Sequence, residues 1–108
     1  MTIKKIKKIL IGDCNYDIIW DKENNDGEFS FSWKGKNGFI RIGTREEKNN
    51  PERVLNILIH ELKEIIQVEQ MTRYERQDEN RAYEFHYTHR EHAELCSRLA
   101  GLLSKFIK

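Results

Sequence analysis

Leu58-Ile59-His60-Glu61-Leu62-Lys63-Glu64-Ile65-Ile66 sets one histidine and two glutamates into an apolar run, in the pattern H-E-x-x-E. Buried polar groups must be paired, and a metal ion is one partner able to serve all three. On a helix, residues 60 and 64 lie one turn apart on the same face, so both side chains can reach a single ion. Glu61, one step round, can face a water on that ion. Zinc-binding helices use H-E-x-x-H in this way, and Glu64 stands where the second histidine would be. With 4 His and 13 Glu in 108 residues the pattern is expected about 0.06 times by chance. It is therefore suggestive, and an ordinary amphipathic helix with one core histidine and solvated glutamates would be spelled the same way.

A catalytic zinc site has three protein ligands and an open position for water. The third ligand is expected from a second helix over about residues 88–107. Its apolar stripe is Leu95, Cys96, Leu99, Leu102, Leu103 and Phe106. Extended backwards by three or four residues, the stripe reaches His92 and then His89, while Glu94 falls about 200° from His92, on the wet side. His60, Glu64 and His92 thus form the expected ligand set. Zinc suits it, and iron(II), manganese or nickel remain alternatives. The ion would bring the pKa of its water towards neutrality. Glu61 would take the proton as general base and pass it to the leaving amine. The plainer roles stand beside these. His92 reads equally as a partly buried histidine bonded to a carbonyl, and His89 and His86 as surface or outer-shell groups. Cys96, Trp20 and Trp33 read as core residues. Tyr83 or Tyr87 would pack, or stabilise an oxyanion.

The elements that must position these groups are legible in outline. Asn49-Asn50-Pro51-Glu52 is a helix start: an Asn cap, Pro at the first position and an acid in the first turn. The helix should run from about Pro51 to about Gln70. One apolar stripe is Leu55, Leu58, Ile59, Leu62, Ile65 and Ile66; Ile57, His60, Glu64 and Val68 form a second. A helix apolar on two sides packs against two things. Residues 1–48 have β character: Ile6 to Ile11, Tyr16 to Trp20, Phe29 to Trp33 and Phe39 to Ile42, with a polar loop over Asp21–Gly27 and a hairpin turn at Gly35–Gly38. Three or four antiparallel strands are expected, with Phe39–Ile42 at the edge. Residues 72–87 have poor periodicity and read as a loop or short helical insert.

A chain of 108 residues, 38% hydrophobic and 34% charged, fits one small α+β domain over residues 1–108. A net charge of +1 gives no large field pointing to nucleic acid or membrane. Cys14 and Cys96 form no CxxC pair and read as reduced thiols. The apolar run Ile9-Leu10-Ile11 is too short for a signal peptide, and no stretch is long enough to span a bilayer. A cytoplasmic protein is expected.

On Ile59-His60-Glu61-Leu62-Lys63-Glu64 and on Arg98-Leu99-Ala100-Gly101-Leu102-Leu103-Ser104-Lys105-Phe106, the chain resembles small single-domain zincin-like metallopeptidases, often encoded by phages and prophages. They are similar in outline to SprT-like and minigluzincin domains. The likeness covers nearly the whole chain, and the first helix motif is its specific part. It implies a zincin-like fold: a short antiparallel sheet of three or four strands, followed by two packed helices. It implies His60 as first ligand, Glu61 as general base, position 64 as second ligand, and a histidine or glutamate of the second helix as third. The sequence offers His92 and Glu94 there, and the apolar stripe favours His92. Two departures stand out. Glu64 replaces the commoner histidine, which adds negative charge and weakens the acidity of the water, and the 72–87 segment is long. The expected function is a zinc-dependent metallopeptidase acting on a peptide or protein. The alternative is a catalytically inactive zincin-like binding protein of phage or prophage origin.

Overall fold

Gly12-Asp13 is a two-residue turn with Gly12 in the left-handed region at φ 60°, where a side chain would be strained. It joins β1 (Lys8–Ile11) to β2 (Cys14–Asp21) as an antiparallel hairpin, with Ile9 opposite Tyr16. The computed structural model describes residues 2–31, 37–70, 73–75, 83–85 and 88–107. After β2 the chain crosses to the far edge of the sheet, lays down β3 (Gly27–Ser30), and returns to fill the gap with β4 (Gly38–Gly43). The sheet order is β1-β2-β4-β3.

β4 therefore pairs antiparallel with β3 (Phe29 opposite Ile40) but parallel with β2 (Ile18 opposite Ile40). The α+β class expected from the sequence holds, and the sheet is mixed. Phe39–Ile42 is an interior strand and not the edge, because β3 lies outside it. Of the expected turn at Gly35–Gly38, residues 35 and 36 lie outside the described residues, as does Trp33.

The helix α1 (Pro51–Glu69) starts at Pro51 as expected, although the Asn50 side chain makes no capping hydrogen bond. Next come two short strands, β5 (Arg73–Glu75) and β6 (Tyr83–Phe85), paired antiparallel where a loop or helical insert was expected. The last helix, α2 (His89–Leu103), opens with Thr88 in a capping box: Glu91 N–H donates to the Thr88 hydroxyl at 3.2 Å, and Thr88 N–H donates to the Glu91 carboxylate at 3.0 Å.

One core joins the layers. Ile9, Ile11, Tyr16, Ile18, Ile40 and Ile42 bury the inner face of the sheet against Val54, Ile57, Leu58, Leu62 and Ile65 of α1, and Phe106 closes it beyond α2. Among the described residues no helix is long and apolar enough to cross a membrane.

Within this core the Tyr16 hydroxyl is buried without a hydrogen-bond partner among the described residues. Burial foremost, then Cys14 and Glu69, push its pKa from 10.0 up to about 12. The folded value lies above the unfolded one. The neutral phenol's contribution to stability is thus present below pH 10 and is lost as the pH rises through about 12. Tyr16→Phe removes an unpaired polar atom and should match the wild type or exceed it by about 1 kcal/mol at neutral pH. It should also lose less stability in that alkaline window. Thermal melts of both proteins across the window check this, and equal steepness would count against it.

Candidate metal centre

By the 3.6-residue period, Glu61 falls about 20° from Val54 and about 40° from Ile65 on the helical wheel, so it shares their buried face. The structure agrees: Glu61 is 5% exposed, Glu64 is half-buried, and His60 is exposed on the flank. The motif is thus rotated relative to the sequence reading, which had put His60 on an apolar stripe and Glu61 beside it.

Gly27 on β3 explains how a carboxylate is seated there. A Cβ at this position would lie 2.6 Å from Ile57 Cγ2 and 3.1 Å from Glu61 Cγ. Only glycine lets α1 approach the edge strand so closely. Gly27→Val should push the helix away, lower stability by about 1–3 kcal/mol and weaken divalent-ion binding. Calorimetric melts and a zinc titration of the variant would show both effects, and wild-type values in the two would refute the close-approach argument.

Arg41 of β4 fixes the same edge from the other face of the sheet. Its Nε donates to Glu28 at 3.0 Å, and its Nη1 contacts Asp21 and Asp26, each at 3.1 Å. The Glu28 carboxylate foremost holds the Arg41 pKa above its ordinary value. Asp21 is held below its ordinary value by the Asn24 amide first, then by the Glu23 N–H and Arg41. These three acids brace Gly27 between Asp26 and Glu28.

His60 Nε2 lies 3.7 Å from Glu64 Oε1 and 4.0 Å from Glu61 Oε2. One donor atom from each of the three residues falls within 4.8 Å of the others, and no other such trio occurs among the described residues. Tetrahedral zinc with bonds of about 2.0–2.1 Å sets its ligand atoms about 3.3 Å apart. The His60–Glu64 separation of 3.7 Å comes nearest to that spacing, and an imidazole with carboxylates is a donor set that a borderline divalent ion accepts.

His92 is not in the trio. It is exposed in the first turn of α2, with Nε2 3.8 Å from the Cys96 thiol. The reason lies along the helix axes. Gln70, at the end of α1, donates to the Glu91 carbonyl at 3.1 Å, and Arg98 pairs with Glu69 at 2.6 Å. The start of α2 is thereby docked beside the end of α1, about 15 Å along the axis from His60. His89, Glu94 and Cys96 are also exposed. Cys96 is therefore not core packing. His86, Tyr87 and the Tyr83 side chain lie outside the described residues.

Two adjoining hollows, about 330 Å³ and 480 Å³, share Gly27, His60 and Glu61. They form a groove between α1 and β3 with the trio at its middle. Sequence reasoning missed Gly27 and the edge strand. It could have found the burial of Glu61 in the Val54–Glu61–Ile65 spacing. No protein-family model, curated protein or solved structure matches the chain.

Proposed function

We propose that the protein is a zinc-dependent peptide hydrolase in which His60 and Glu64 supply two of the ion's ligands and Glu61 is the general base, with no third protein ligand beside them among the described residues. The observation that carries this reading is the convergence of the three donors in a groove walled by the outermost strand of the sheet. Bound there, zinc would supply a Lewis acid that lowers the pKa of a water towards neutrality. The chain's own groups do the rest. β3 offers the backbone of an edge strand to an extended peptide, a role the sequence reading gave to Phe39–Ile42. Glu61, shielded from solvent, accepts the proton of the attacking water and returns it to the leaving nitrogen. The free thiols of Cys14 and Cys96 fit a reducing, cytoplasmic setting.

One observation favours a second reading. Glu61 approaches His60 almost as closely as Glu64 does. If both carboxylates ligate, no base is left, and the protein is a metal-holding binding protein without turnover. Elemental mass spectrometry of untagged wild type and His60→Ala is the first test. Near-stoichiometric zinc in the wild type, lost in the variant, supports the site and leads to a peptide-library digest. Absence of metal after zinc is supplied would sink both readings.

A further inference from the structure

The groove continues past the His60–Glu61–Glu64 trio in both directions, and its ends differ in chemistry. At one end are Phe29 and Phe31 of the edge strand and its extension, packed edge to face with centroids 5.1 Å apart. Phe31 is 38% exposed, one of the few large apolar side chains that remain so. At the other end are Arg53, Asn56 and Asp26. Arg53 is exposed, and its Nη2 donates to the Asn25 carbonyl at 3.1 Å, which ties it to the loop leading into β3. Asp26 contacts Arg41 across the strand, and no ion pair joins it to Arg53. Arg53 is thus the single lysine or arginine lining either hollow among the described residues, while Glu61 lines both hollows and Glu28 and Glu64 line the second.

We infer that the groove selects an extended peptide with an acidic side chain at its Arg53 end and an aromatic or large aliphatic side chain at its Phe29–Phe31 end. The inference rests on the peptide-binding reading above and adds the class of peptide. Distance sets the spacing. Arg53 precedes His60 by seven residues, or about 10 Å along α1. An extended peptide covers that in about three residues. Glu28, Glu61 and Glu64 line the Phe29–Phe31 hollow with no lysine or arginine among the described residues, so like-charge repulsion disfavours a carboxylate at that end. At the opposite end, covering Phe31 removes apolar surface from water.

Fluorescence anisotropy tests this with labelled decapeptides carrying Glu, Gln or Lys on one side of the centre and Phe or Ala on the other. Binding is read on chelator-treated protein and on zinc-supplied Glu61→Gln protein, so that turnover does not interfere. The expected result is that the Glu/Phe peptide binds about fivefold more tightly than the Gln/Phe peptide. Arg53→Glu should reverse the preference to Lys, and Phe31→Ala should remove the Phe preference while leaving the Glu preference in place. Equal affinities, no binding at millimolar peptide, or a Glu preference that survives Arg53→Glu would each overturn the inference. Metal content, measured on the same samples, separates the two claims. Zinc bound without this selectivity leaves the hydrolase reading standing and removes the inference; selectivity without zinc does the reverse.

Discussion

Glu61→Gln is expected to leave zinc content at the wild-type level and to cut peptide hydrolysis by about 10²–10⁴-fold. Glutamine keeps the shape and hydrogen-bonding reach of glutamate but cannot take up a proton at neutral pH. The substitution therefore separates the two roles open to a carboxylate so close to His60. If Glu61 is the base, chemistry fails and the ion stays. If Glu61 is a ligand, the ion leaves, and with it the stabilisation that binding gives the fold, about 2.7 kcal/mol at zinc a hundredfold above its dissociation constant. In a domain of this size that amounts to a fall in Tm on the order of 10 °C or more. Zinc content, zinc-dependent Tm and turnover on one pair of proteins thus decide between a hydrolase and a metal-holding binding protein. Hydrolysis at the wild-type rate by Glu61→Gln would remove the base assignment altogether. Burial supports the prediction: a carboxylate 5% exposed is shielded from competing water and held by the close contact of Ile57 and Gly27.

The limits of the sequence reading are physical and can be traced to particular residues. α1 was legible because Pro51 marks its start and its apolar residues follow the helical period. α2 was legible because Leu95, Leu99, Leu102 and Leu103 recur at the helical spacing. Strand order was not, since alternation in Phe39–Ile42 looks the same whether a strand is interior or at the edge, and the parallel β2–β4 pairing depends on where β3 comes to rest. Periodicity also gives an angle and not a position along the axis. His92 has the right angle to extend the stripe of Leu95 and Leu99, yet α2 is docked by Gln70 and Arg98 so that its first turn stands clear of the core. Cys96 is exposed because it lies about 100° round the helix from the buried Leu95. Glu61 shows the converse case. Its charge argued for a wet position, while its spacing from Val54 and Ile65 placed it inside.

The largest loss of stability is expected from a residue remote from the trio. Phe106 follows α2, is fully buried, and meets Trp20 edge to face with centroids 6.1 Å apart. Its carbonyl accepts the Lys4 N–H at 2.6 Å, and next to it Ile107 bridges to Ile3. The Trp20 indole N–H in turn donates to the Ile6 carbonyl at 2.9 Å. The Phe106–Trp20 ring contact and these backbone bonds together tie residues 3–6, the segment after α2, and β2 into a single unit. Phe106→Ala removes the ring from a site with no solvent access and should cost about 3–5 kcal/mol, against a total stability of about 5–15 kcal/mol for domains in general. Because the trio sits against β3, with β4 between it and the β2 strand that carries Trp20, zinc bound per folded molecule should be unchanged. Denaturant unfolding followed by tryptophan fluorescence, with zinc content measured below the transition, tests both halves. A loss under about 1 kcal/mol would show that the segment after α2 contributes little to the core. Normal stability with lost zinc would mean that β2 and β3 are coupled through β4 and α1, and the site would then have to be described as a property of the whole layer.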